Sequence, residues 1–258
     1  MTITIIGAGN VATHLGFALQ KAGHEIVYVF SRTLQSAKGL AEKIGSKAVC
    51  DISALKEDTD VYLYSVSDSA LPYLVERIAH QHDASLHVHT AGCVDIDVFK
   101  GFARRFGVIY PLQTFSKTRN IDVSVVPFFV EGSDENTISD IHKLTSSISN
   151  CIADASSEKR RKLHLSAVFA CNFVNHCYSL SAKILKKENL SFDLLRPLIR
   201  ETYEKIEQLH PLDAQTGPAV RCDMDVMNRH ICMLDDEIDK QIYRLMSQSI
   251  NKEHHDKL

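Results

Sequence analysis

The chain opens on a strand-like run, Thr2-Ile3-Thr4-Ile5-Ile6, that passes directly into Gly7-Ala8-Gly9-Asn10-Val11-Ala12, and this junction constrains the fold more than any other segment. The pattern is G-x-G-x-x-A between a β-branched run and a helical one. Gly7 permits a tight turn, and Gly9 lets the backbone approach a pyrophosphate. Ala12 keeps the next helix close to the strand, so that the helix N-terminus points at the phosphates. Glycine-rich turns are common, and the motif draws its meaning from the strand before it and the helix after it. It implies a dinucleotide held by Gly7, Ala8, Gly9, Asn10 and Val11. The alternative is a fold of this type that has lost its cofactor.

Short β-branched runs then alternate with helical patterns. A helix is predicted over Asn10–Ala22, with Val11, Leu15, Ala18 and Leu19 on one face and Gly23 as its stop. Strands are predicted at Glu25–Phe30, Lys47–Cys50, Asp60–Val66, Ser85–His89, Val108–Tyr110, Phe128–Glu131 and Cys151–Ala153, with helices at Ser36–Ile44, Ala70–His80 and Glu135–Ser147. This is the signature of a doubly wound, mostly parallel α/β sheet of the Rossmann kind. From about Ser156 no strand pattern remains. Glu158–Lys187, Asp193–Leu209 and Asp225–Ile250 each read as one amphipathic helix, and the polar tail Asn251–Leu258 reads as frayed. The expected organisation is a Rossmann domain over residues 1–155 and an all-helical substrate and dimerisation domain over 156–258.

The end of the second strand selects the cofactor. A carboxylate about 20 residues beyond the glycines marks NAD enzymes. This chain has Ser31-Arg32-Thr33 there, and Arg with small hydroxyls suits a 2′-phosphate, so NADP(H) is the expected cofactor. A solvated surface arginine is the plainer reading of Arg32. Ligands cross the carboxyl ends of the strands in such sheets, which brings Val66 and Ser67 to the adenosine-side ribose and pyrophosphate, and Thr90 toward the nicotinamide. Asp68 is expected to cap the following helix. His89 ends its strand where chemistry belongs, although capping or packing accounts for it as well.

Composition narrows the class. With 258 residues, 45% hydrophobic, 24% charged and a net charge of −3, the chain lacks the basic face of a nucleic-acid binder. No signal peptide is visible, and no apolar run approaches the roughly 18 residues of a membrane helix. Seven scattered cysteines without a Cys-x-x-Cys pair fit a reducing cytoplasm better than disulfides or zinc. His254-His255 has no metal-site spacing around it, so no metal is expected.

Reduction of a carbonyl or imine needs a proton donor and groups that hold the substrate. On the long helix, His164, Asn172 and Asn175 recur at helical spacing on an apolar stripe, where polar groups need partners. His164 is the candidate proton donor, Asn172 an orienter and Asn175 a substrate contact. A hydrogen-bonded network fixing helix packing explains them equally well. Tyr110, Gln113 and Thr114 follow the sixth strand and could line a substrate pocket. Arg221 could anchor an anion, with a helix-flanking salt bridge as its bland alternative. The run Glu158-Lys159-Arg160-Arg161-Lys162 reads as a solvated face that could instead help hold cofactor phosphates.

Taken together, these segments resemble a superfamily that joins an NADP-type Rossmann domain to an all-helical C-terminal domain. It includes ketopantoate reductase, pyrroline-carboxylate reductase, deazaflavin-dependent NADP oxidoreductase and the β-hydroxyacid dehydrogenases. The chain is more closely similar to oxidoreductases described as Rossmann-like with a C-terminal helical domain of unknown function. Gly7–Ala12, His89–Gly92, Tyr110–Phe115, His164–His176 and Gln215–Arg221 carry that resemblance. It implies NADP(H), a small-molecule substrate and a homodimer through the helical domain. The glycine-and-lysine helix motif of the β-hydroxyacid dehydrogenases is missing, so their catalytic lysine does not transfer. The leading expectation is an NADP-dependent oxidoreductase acting on a small, anionic carbonyl or imine compound. The rivals are a non-catalytic NADP-binding sensor or scaffold, and hydride exchange with a flavin or deazaflavin across a broad, shallow cleft.

Overall fold

The computed structural model describes residues 1–56 and 59–255. An eight-stranded sheet has the order β3-β2-β1-β4-β5-β6-β7-β8, with β1 (Thr2–Ile6), β2 (Glu25–Phe30), β3 (Lys47–Val49), β4 (Val61–Tyr64), β5 (Leu86–His89), β6 (Arg105–Pro111), β7 (Pro127–Gly132) and β8 (Cys151–Asp154). All neighbours are parallel except β6 and β7. Strand order reverses between β1 and β4, which opens a crevice at their carboxyl ends.

The period of two along each strand builds both faces. Ile3, Ile5, Leu63 and Val88 point into one core with α1 (Asn10–Lys21), α2 (Leu34–Ile44) and α4 (Glu135–Ser146). Ile6, Tyr62 and Tyr64 point into the other, with α3 (Leu71–Ile78) and Phe99. Burial on both faces is what a parallel sheet requires.

The second face also buries two histidines. His87 Nδ1 pairs with the Tyr64 hydroxyl at 3.1 Å, and His87 Nε2 lies 2.9 Å from the His82 carbonyl. His89 Nδ1 accepts from the Ala91 N–H and its ring stacks on Phe99, so His89 packs the sheet. Loss of hydration lowers His87 to about 4 and His89 to about 3, the latter with a further push from the Arg160 charge.

The contacts divide the chain into two compact units, Met1–Asn172 and Phe173–Leu258. The first ends with α5 (Ser157–Ala167) and most of a π-helical turn, Val168–Phe173, so the single helix expected over Glu158–Lys187 carries a π segment in its middle. The second holds α6 (Val174–Lys187), α7 (Arg196–Gln208), α8 (Pro211–Ala214), α9 (Met224–Met233) and α10 (Glu237–His255). The helix expected over Asp225–Ile250 is two helices. Leu234 turns extended, and the Asp236 carboxylate accepts from the N–H groups of Ile238 and Asp239, which starts α10 afresh. The tail is not frayed over Asn251–His255, because Asn251 and His255 bond to the segment Ala219–Cys222. No helix among the described residues is long and apolar enough to cross a membrane.

The neutral state of His87 and His89 couples stability to pH. Both have folded values below the unfolded one, so the unfolded chain binds protons first and stability falls as pH drops below about 6.5. Between pH 6.5 and 5 each contributes a loss on the order of 2 kcal/mol. Urea unfolding at pH 7.5 and 5.0 checks this: a clear drop in midpoint is expected, one that His87→Phe partly removes, and equal midpoints contradict it.

Candidate functional site

The turn after β1 is fixed by what lies behind it. Gly7 has φ +122°, and a Cβ there would stand 2.1 Å from the Ser65 carbonyl oxygen, so only glycine fits on both counts. Gly7 N–H donates to Phe30 O, and Ser65 N–H donates to Ile6 O, both at 2.8 Å, which locks the turn between β2 and β4. Gly9 then caps α1 with no side-chain bond, and a Cβ at Gly9 would meet no protein atom within 4 Å. The first turn of α1 therefore faces a cleft with its N–H groups free of side-chain capping, as an anion site requires.

That cleft has a volume of about 940 Å³ and lies wholly within the first unit. Gly7, Ala8, Gly9, Asn10 and Val11 form its floor, and Val66, Ser67 and Thr90 come from the ends of β4 and β5. Ser31, Arg32, Thr33 and Ser36 line one end, beyond β2. Thr33 Oγ1 accepts from the Ser36 N–H and starts α2 there, so two hydroxyls line the same end as Arg32. Tyr73 and Arg77 complete this end, with Arg77 donating to the Tyr73 hydroxyl at 2.5 Å and lying over its ring. Asp68 lines the cleft too. It does not cap α3, whose N-cap is Ala70 without a side-chain bond, because the chain makes a turn from Ser67 before the helix begins.

The opposite end carries Ala91, Gly92, Tyr110, Pro111, Gln113 and His164. The Tyr110 hydroxyl lies 2.9 Å from His164 Nδ1. Burial, with a smaller contribution from nearby Cys93, pushes the Tyr110 phenol up to about 12, so it remains a hydroxyl at neutral pH. It donates to Nδ1 of a neutral imidazole, which leaves the hydrogen on Nε2, and accepts from Nδ1–H of an imidazolium. His164 also packs against Gly92, where a Cβ would stand 2.5 Å from Nδ1. Gly92 is thus a close-approach glycine.

The remaining expected residues stand elsewhere. Asn172 is exposed in the π-helical turn and outside the cleft lining. Thr114 is exposed beside the cleft and bonds through its N–H to Gln113 Oε1. Asn175 and Arg221 belong to the second unit, and both are exposed. The charged run opening α5 is neither a fully solvated face nor part of the cleft lining. Arg160 is fully buried on Glu131 of β7 at 2.5 Å, with a second bond to the Val94 carbonyl, while Arg161 pairs with Asp95 and Lys162 with Glu158. Two contacts were missed. Lys117 donates to the Ala8 carbonyl at 2.7 Å, from a loop that His14 also grips through the Ser116 carbonyl. Arg77 is four residues from Tyr73 on α3, and that helical spacing was the available signal. Among the described residues no group of three His, Cys, Asp or Glu gathers as a metal site.

Fold and cleft together define a Rossmann protein with a helical C-terminal region. Residues 1–114 match a Rossmann-like domain, and residues 126–250 match the domain of unknown function DUF2520. A provisionally assigned NADP oxidoreductase from Bacteroides fragilis is 43% identical, covers 97% of this chain and 98% of its own, and superposes with a TM-score of 0.93. The chain belongs to the family of that protein. The fold is shared with a 1-pyrroline-5-carboxylate reductase from Streptococcus pyogenes, at 14% identity, 98% coverage of both chains and a TM-score of 0.64. It is shared as well with a reductive aminase from Aspergillus terreus, at 13% identity, 98% and 94% coverage and a TM-score of 0.72. No curated protein matches the chain.

The contact between Gly92 and His164 can be measured. Gly92→Ala is expected to cost about 1–3 kcal/mol by overpacking. Most of that should return in the Gly92→Ala, His164→Ala double variant, since the two shortest approaches are to the ring atoms Nδ1 and Cγ, and only the Cβ at 3.0 Å remains. Equal costs in both backgrounds, read by urea unfolding, contradict the packing described.

Proposed function

We propose that the protein is an NADP(H)-dependent reductase of a small carbonyl or imine compound, with His164 as the proton donor. The observation that carries this is a single cleft with an uncapped helix N-terminus on its floor, a guanidinium with two hydroxyls at one end, and a Tyr110–His164 pair at the other. The cofactor is NADP(H): the backbone of Gly7–Val11 suits the pyrophosphate, Ser31, Arg32, Thr33 and Ser36 suit the 2′-phosphate, and Thr90 with Gly92 suits the nicotinamide side. Val66 and Ser67 suit the ribose between them. The relative from Bacteroides fragilis bears the same cofactor in its name. When bound, NADPH supplies the hydride.

The chain's own part is proton delivery and orientation. The Tyr110 hydroxyl holds His164 Nδ1 in both protonation states, so the ring keeps one orientation as it gives up its proton. Gln113 offers an amide to the substrate from the same end of the cleft. A titratable pair placed beside the expected nicotinamide position favours an enzyme over a sensor. Asn172 would act as an orienter, and Thr114, Asn175 and Arg221 as substrate contacts, with Arg221 as the anchor of an anionic group.

Residues 156–258 serve in this proposal as the substrate and dimerisation domain, and the partner is a second copy. In the second unit α6, α7 and α10 bury no residue, and Ile184, Leu198, Ile206, Ile238 and Leu245 are exposed apolar side chains on them. Apolar surface of that extent is typical of an obligate interface. Seven free cysteines suit the reducing cytoplasm.

Titration with NADPH and NADH by fluorescence tests the cofactor, and sedimentation of the same samples tests the dimer. NADPH is expected to bind at least tenfold tighter than NADH, with most of the preference lost in Arg32→Ala. His164→Ala is expected to keep NADPH affinity while lowering kcat at least a hundredfold on any carbonyl or imine found to be reduced. Failure to bind either nucleotide overturns the reductase; a monomer at micromolar concentration overturns the dimer alone.

A further inference from the structure

The Thr216–Arg221 segment leads into a cluster of its own within the second unit. Cys222 has φ +55°, a left-handed backbone that a residue with a side chain rarely adopts. Its sulfur lies 3.1 Å from His255 Nε2 and 2.7 Å from Asn251 Nδ2, two side chains four residues apart on one face of α10. The same two nitrogens lie 3.3 Å from backbone carbonyls, Asn251 Nδ2 from Ala219 O and His255 Nε2 from Val220 O. A carbonyl only accepts, so both nitrogens carry hydrogen, and this settles the amide orientation and the imidazole tautomer together. Cys222 Sγ is therefore faced by two N–H donors. Both donors are placed to stabilise negative charge on the sulfur as it reacts.

The surroundings fit a reacting sulfur. Cys222 is exposed, and a cavity of about 390 Å³ opens beside it, walled by Met224, Met227, Ile231, Tyr243 and Arg244. The charged groups nearby are Arg244 in that wall, Arg221 next in sequence and Asp223, whose carboxylate is engaged in capping α9 through the Val226 N–H. The start of α9 lies just beyond the sulfur's own residue, and a helix N-terminus favours negative charge.

We propose that Cys222 is an activated thiol that undergoes reversible thiolation by low-molecular-weight disulfides, with His255 and Asn251 holding the attacking sulfur. The Cys222 thiolate attacks one sulfur of the disulfide, the Sγ–S bond forms, the disulfide's own S–S bond breaks, and its other half leaves as a thiolate. The disulfide is the oxidant, one of its sulfurs is reduced, and no further reagent takes part. Excess thiol runs the exchange backward. A wall that sets Met224, Met227 and Ile231 beside Asn228, Ser247, Gln248 and Arg244 suits an anionic thiol-bearing molecule with polar amide groups.

The test uses the full-length protein with glutathione disulfide as the probe at pH 7, below one equivalent, and reads each cysteine by peptide mass mapping. Cys222 is expected to take the first adduct at least tenfold faster than Cys50, Cys93, Cys151, Cys171 or Cys232, all of them exposed. That ranking needs no variant. His255→Phe and Asn251→Leu, checked for unchanged far-ultraviolet dichroism, should each bring Cys222 back among the others. Asn251→Asp, which replaces a donor by a negative charge, should slow it further. Even labelling of the exposed cysteines, or a rate at Cys222 that survives both substitutions, overturns the proposal.

Discussion

Arg160 is buried to 0% exposure, and both terminal nitrogens of its guanidinium find acceptors there, while Nε has none. Glu131 on β7 accepts from Nη1, the Val94 carbonyl and Ser157 Oγ take Nη2, and Glu131 also holds the Ser157 N–H and hydroxyl. This network pins the first turn of α5 to the sheet at the antiparallel β6–β7 pair. Removing one partner would leave an uncompensated buried charge, at a cost of about 3–5 kcal/mol. His164 is one helical turn further along, and it meets Tyr110 of β6 and Gly92 because the turn before it cannot move. The imidazole therefore owes its place in the cleft to an ion pair that does not itself line the cleft.

The other end of the cleft is organised by a different constraint. Gly7 presses against the Ser65 carbonyl where the strand order reverses, so the backbone turns without a side chain and α1 begins with bare N–H groups. Positive charge in the cleft gathers beyond β2, at Arg32 and Arg77, while the other end carries the Tyr110 hydroxyl, the Gln113 amide and the His164 imidazole. The division matches a ligand with anionic groups at one end and a reacting ring at the other. The sheet supplies both ends from one edge, as doubly wound folds do.

Much of this was legible in the chain. The glycine turn, the strand-to-helix alternation and Ser31-Arg32-Thr33 are local patterns, and local patterns survive folding when the core obeys the same period. Tyr110 and His164 were each singled out, yet their hydrogen bond spans 54 positions and no spacing rule links them. Arg160 could not be told from Arg161 or Lys162, because a charged run gives no sign of which member meets a buried carboxylate. The break before α10 was hidden for a related reason. The apolar stripe of Leu234 and Ile238 continues across it, while Leu234 turns extended and the Asp236 cap starts a second helix. Asn251–His255 were misread as frayed from their polarity, since Asn251 Nδ2 and His255 Nε2 bond to the Ala219–Cys222 segment, while 256–258 lie outside the described residues.

The central claim is that one cleft holds a single dinucleotide from the glycine turn to His164. Backbone amide shifts recorded by NMR during an NADPH titration test it most directly. Gly9, Arg32 and Gly92 are expected to move together and to saturate at one common Kd. Movement of Gly9 and Arg32 with Gly92 and His164 unaffected at saturation would contradict it, and would separate the nucleotide site from the Tyr110–His164 pair.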